Sequence, residues 1–85
     1  MKKEEIRTHV SSILQKRMKQ QEMCYSDLIE ETRLDMSVIY NAVNYGTAEV
    51  SEFIAICNAL EISPLYVIDH AICESRIENN QTDEK

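Results

Sequence analysis

The chain predicts an all-α fold, a compact bundle of five helices. Three observations carry this. Apolar residues recur at three- and four-residue spacing along almost the whole length. One Gly and one Pro in 85 residues leave little material for hairpins or a phosphate-cradling loop. The places where the helical period breaks carry cap signals. With 44% apolar residues a chain of this length forms one small core, so a single domain over residues 1–77 is expected, with a polar, disordered tail over 78–85.

Each element follows from its own residues. Ile6, Val10, Ile13, Leu14 and Met18 define a first helix from Lys3 to Gln21, with Lys2, Lys3, Arg7, Lys16, Arg17 and Lys19 on its other faces. A short second helix covers Ser26 to Arg33, with Leu28, Ile29 and Thr32 inward. Asp35 reads as the N-cap of a third, because a carboxylate can accept from the free amides of the first turn. Ile39, Ala42 and Val43 form its buried stripe, and Gly46 closes it in the left-handed conformation. Val50, Phe53, Ile54, Ile56, Cys57 and Leu60 make a fourth helix whose wide apolar face predicts a central place in the core. Ser63-Pro64 starts the fifth: Ser caps, and Pro at the first helical position loses no needed donor. Leu65, Val67, Ile68, Ala71, Ile72 and Ile77 follow, and from Glu78 the chain is polar.

Charge is uneven. The net charge is −6, yet residues 1–33 hold seven Lys/Arg against six Asp/Glu, while residues 34–85 hold two against nine. No Lys or Arg occurs between Leu34 and Ser75. Cys24, Cys57 and Cys73 are odd in number and form no C-x-x-C, which argues against a disulfide framework or zinc knuckle. The start Met-Lys-Lys-Glu-Glu and the lack of any 18-residue apolar run predict no signal peptide, no membrane span and a cytoplasmic location. Asp69, His70, Cys73 and Glu74 are helical neighbours, but ligands on one helix rarely converge on one ion, so neither metal nor cofactor is expected. No nucleophile–base pair or phosphate loop is visible, so an enzyme is not expected.

The runs ILQKRMKQQEMCYSDLIEETRLDMSVIYNAVN and AEVSEFIAICNALEISPLYVI resemble the phage-repressor helix-turn-helix family of Cro/cI (XRE) type over about two thirds of the chain. The resemblance implies a lambda-repressor-like bundle with the helix-turn-helix at helices two and three. It also implies a sequence-specific DNA-binding regulator, a repressor by preference and of prophage or mobile-element type. Such a protein binds double-stranded operator DNA as a homodimer through Asp35–Tyr45. Carried over by position, Met36, Ser37, Tyr40, Asn41 and Asn44 would face base edges or flanking phosphates. Tyr25, Ser26, Lys16, Arg17, Lys19 and Arg33 would hold the DNA backbone. Ile68, Ile72 and Ile77 exceed what one core face needs and are candidates for the dimer contact. Each polar residue here reads equally as an ordinary solvated helix position.

The chain departs from the family pattern in places. Arg33 stands where the turn commonly has Gly, and Cys24 where Ser or Thr caps helix two. The loop Gly46-Thr47-Ala48-Glu49 lacks the usual cation. DNA binding draws most of its affinity from neutralised phosphates. The cation-free stretch therefore keeps open an alternative: an acidic, helix-turn-helix-derived module that binds a protein partner as an inhibitor or DNA mimic.

Overall fold

The structure is a computed structural model that describes residues 3–83, with side chains described for residues 5–76. It is all-helical, a small five-helix bundle: α1 Lys3–Gln21, α2 Tyr25–Thr32, α3 Met36–Tyr45, α4 Val50–Ala59 and α5 Pro64–Asp83. Cys24 takes the N-cap of α2, so that helix starts at Tyr25, one residue before the sequence places it. α5 continues through Asp83, past the point at which the polar composition ends it; the side chains from Ile77 onward lie outside the described residues.

One core runs through all five helices. Val10 and Leu14 from α1 meet Leu28, then Ile39, Ala42 and Val43 of α3, then Ile56, Cys57, Leu60, Val67 and Ala71. Burying each Leu or Ile side chain contributes about 1.5–3 kcal/mol. Burial pushes the Cys57 thiol up to about 11, so it stays an uncharged core group. Ile29, a large residue on α2, is partly buried and packs against this core.

α1 is the central element. It packs against both α3 and α5 along its length. α4 also enters the core as its apolar face predicts, through Ile56, Cys57 and its C-cap Leu60, with Phe53 packed against them. The expectation fails at Val50, which is 75% exposed, and at Ile54, which is 41% exposed. Val50 and Ile54 are four residues apart, so they form a separate stripe that the short helix turns away from the core.

Helix ends are fixed by left-handed residues. Only Gly46 (φ +68°) is glycine; Glu22 (+56°), Arg33 (+64°) and Glu61 (+58°) hold the same conformation with a side chain. After Glu22 and Glu61 the following turn is closed by backbone bonds, Met23 N–H to Met18 O at 3.0 Å and Ile62 N–H to Cys57 O at 3.0 Å. Among the described residues no single helix is long and apolar enough to cross a membrane.

Candidate functional site

α2 and α3 are joined by a three-residue turn, Arg33–Asp35, which presents one face of α3 outward. Thr32 stabilises the turn: its hydroxyl donates to Leu28 O at 2.7 Å and accepts from Leu34 N–H at 3.2 Å. Arg33 closes α2 by donating its amide to Ile29 O at 2.8 Å. Because Arg33 is left-handed, Arg33→Gly should stabilise the fold by about 0.5–1 kcal/mol. The same variant removes an exposed cation from the turn, so urea denaturation should show the gain while any DNA affinity falls.

Ile39, Ala42 and Val43 turn inward, which leaves Met36, Ser37, Tyr40 and Asn41 exposed on the opposite side. Asn44 is partly buried and already engaged. Its Nδ2 donates to the Tyr25 hydroxyl at 2.8 Å and to Tyr40 O at 3.0 Å. Both amide hydrogens are used, so in this conformation Asn44 fixes Tyr25 rather than presenting a two-point amide outward.

Three tyrosines form an edge-to-face row across this surface. Tyr25 and Tyr40 have ring centroids 6.2 Å apart, Tyr40 and Tyr45 6.0 Å. The charge that ionised Tyr45 would carry, and its hydrogen bond, hold the Tyr40 phenol above its usual range, so Tyr40 remains a neutral hydroxyl.

At the start of α2, Asp27 accepts from Cys24 N–H at 3.0 Å and Cys24 Sγ at 3.3 Å. These bonds, the backbone one foremost, lower its carboxyl below the usual range. A carboxylate therefore already sits at the helix end that the sequence assigns to phosphate through Tyr25 and Ser26. A depressed folded pKa gives stability that is present above the unfolded value and lost as pH falls through the folded one. Urea midpoints between about pH 5 and pH 3 should fall more steeply for the wild type than for Asp27→Asn.

Packing distributes the α1 cations. Gly46 lies against the backbone of Arg7, and Arg7 shares a hollow with Asn44, Tyr45 and Thr47. Lys19 shares another with Cys24, Tyr25 and Asn44. Gln15 locks this arrangement by donating to Val43 O at 2.9 Å. Arg7 and Lys19 are exposed, and both hollows border the C-terminal half of α3, through Val43, Asn44 and Tyr45. Arg7 was not among the residues singled out by the sequence.

Lys16 and Arg17 lie elsewhere, lining a cleft with Tyr66, His70 and Glu74 of α5. The Arg17 guanidinium is committed there: Nε donates to Leu60 O at 2.9 Å, Nη2 to Glu61 O at 3.0 Å, and Nη1 to Gln20 Oε1 at 3.2 Å. In this structure Arg17, a sequence candidate for DNA backbone, bonds the carbonyls at the end of α4. Glu74 is shared by His9 (3.0 Å) and His70 (3.4 Å), which ties α5 to α1.

A second surface is apolar. Leu65 (78% exposed), Ile68, Val50 and Ile54 rim a hollow of about 350 Å³ floored by Ala42 and Phe53. Ile68 and the half-buried Ile72 border a neighbouring depression. Ile77 lies outside the described side chains.

Comparison with known protein families, curated proteins and solved structures finds no match to this chain.

Proposed function

We propose that this chain is a sequence-specific DNA-binding transcriptional regulator, a repressor that occupies operator DNA as a homodimer through α3. One observation carries the reading. The outward face of α3 presents Met36, Ser37, Tyr40 and Asn41, while α1 sets two exposed cations, Arg7 and Lys19, beside the C-terminal half of that helix. Base-reading side chains with cations beside them for phosphate is the division of labour that DNA recognition requires. Arg7 stands beside the Gly46 loop, where the local sequence offers no cation. Three free thiols fit a reducing cytoplasm.

Dimerisation supplies the affinity that few cations per protomer cannot, since two half-sites about 34 Å apart double the phosphate contacts. The apolar rim around Leu65 and Ile68 supports the contact. Leu65→Glu should weaken the dimer about 10- to 100-fold, read by sedimentation across protein concentration.

A second reading is favoured by a specific observation. The row of Tyr25, Tyr40 and Tyr45, with Met36 44% exposed, is rich in residue types enriched at protein interfaces, and no cation lies between Leu34 and Ser75. In that reading the domain is an acidic protein-binding module, an inhibitor or DNA mimic. Retardation of genomic fragments, including the gene's own upstream region, separates the two. Retention of particular fragments that is lost in Asn41→Ala supports the regulator. No retardation at low salt, with a protein recovered on the immobilised chain, overturns it.

A further inference from the structure

The exposed face of α3 has no Arg or Lys, the side chains that read guanine by paired donors; its Ser37 hydroxyl does not discriminate between bases. In the major groove guanine offers two acceptors, O6 and N7, and is identified by the paired donors of Arg or Lys. Neither residue occurs on α3, and none follows before Arg76. Arg33 is the C-cap of α2, two residues before the N-cap Asp35, and so lies in the turn rather than on α3. Asn44, the second amide of the helix, has both hydrogens committed to Tyr25 and Tyr40.

What remains outward suits A·T pairs. Asn41 is exposed; Thr47 bonds its main-chain oxygen, and its side-chain amide makes no hydrogen bond among the described residues, so it can pair with adenine N6 and N7. Met36 (44% exposed) and Tyr40 (43% exposed) offer apolar surface to a thymine C5-methyl. The Tyr40 ring is held edge-on between Tyr25 and Tyr45, so it enters the groove already ordered. Asp35, whose carboxylate makes no capping bond, can accept from a cytosine amine only at the leading edge, one turn ahead of Tyr40.

We propose that the half-site core under α3 consists of A·T pairs, with Asn41 reading adenine and Met36 and Tyr40 reading thymine methyls. This rests on the DNA-binding reading above.

The test is selection from a randomised duplex library by the full chain, followed by affinities for the selected site. Half-sites centred on A·T pairs are expected. Asn41→Ala should lose preference at one adenine by about 5- to 150-fold, with circular dichroism confirming its fold. Replacing the core thymines by uracil removes only the methyl. It should weaken wild-type binding about fourfold per contacted methyl, and leave the Met36→Ala/Tyr40→Ala double variant unchanged. A selected core of G·C pairs, or insensitivity to uracil, overturns the base assignment and leaves DNA binding standing. A library retained without any enriched sequence, or not retained at about 50 mM salt, overturns both.

Discussion

Gly46→Ala is expected to remove about 3 kcal/mol or more of folding free energy, a large fraction of the stability of a small domain. Two effects add. The residue is left-handed at φ +68°, which a Cβ disfavours by about 1–2 kcal/mol. The added Cβ would also run into the Arg7 carbonyl oxygen, with the Arg7 carbonyl carbon and Cα at 2.8 and 2.9 Å. The obstacle is helix backbone, which cannot swing aside as a side chain can. Relief would require α3 and α1 to separate, breaking the Gln15 to Val43 O bond and opening the core around Leu14 and Val43. A shift of more than about 10 °C in the thermal midpoint follows. A Gly46→Ala variant with a wild-type midpoint would mean that α1 does not lie against the loop, and would remove Arg7 from the end of α3.

Arg17→Ala should cost about 1–3 kcal/mol of stability and leave the DNA salt dependence unchanged. The guanidinium donates to Leu60 O and Glu61 O, carbonyls at the end of α4 that have no helical partner, and its charge opposes the negative end of that helix. Hydrogen bonds from a charged donor contribute about 1.5–3 kcal/mol each when removed from solvent, less at this half-exposed position. Arg17→Lys should recover only part of the loss, because one ammonium cannot span both carbonyls in the same fork. Urea denaturation reads the stability. If Arg17→Ala folds as well as the wild type but binds DNA less well, Arg17 belongs to the DNA surface after all.

Much of the fold is legible locally. Gly46 and Ser63-Pro64 mark the end of α3 and the start of α5 because caps are decided by a few adjacent residues, whereas Asp35 takes the N-cap position of α3 without the carboxylate bond its identity predicts. The stripe Ile39, Ala42 and Val43 declares the buried side of α3, and so its outward side, through helical spacing alone. Other features depend on packing between distant segments. Arg17 reaches carbonyls 43 and 44 residues away, and no local pattern distinguishes it from Lys16 beside it. Arg7 gains its place only because Gly46 lets α1 approach α3 closely. Asn44 is spent on a hydroxyl 19 residues earlier, which its spacing on α3 does not reveal. Val50 and Ile54 look like core by composition, but a ten-residue helix buries one stripe, and Phe53, Ile56, Cys57 and Leu60 occupy it.

The salt dependence of binding to the selected site tests the central claim most directly: that α3 reads DNA while Arg7 and Lys19 hold its backbone. Log affinity should fall linearly with log salt, at a slope of about −0.9 per neutralised phosphate. Replacing Arg7 and Lys19 together by alanine should flatten that slope by about 1.8 per protomer without changing which sequence is preferred. A slope that does not move in the double variant, or a chain that holds no duplex at low salt, would contradict the account.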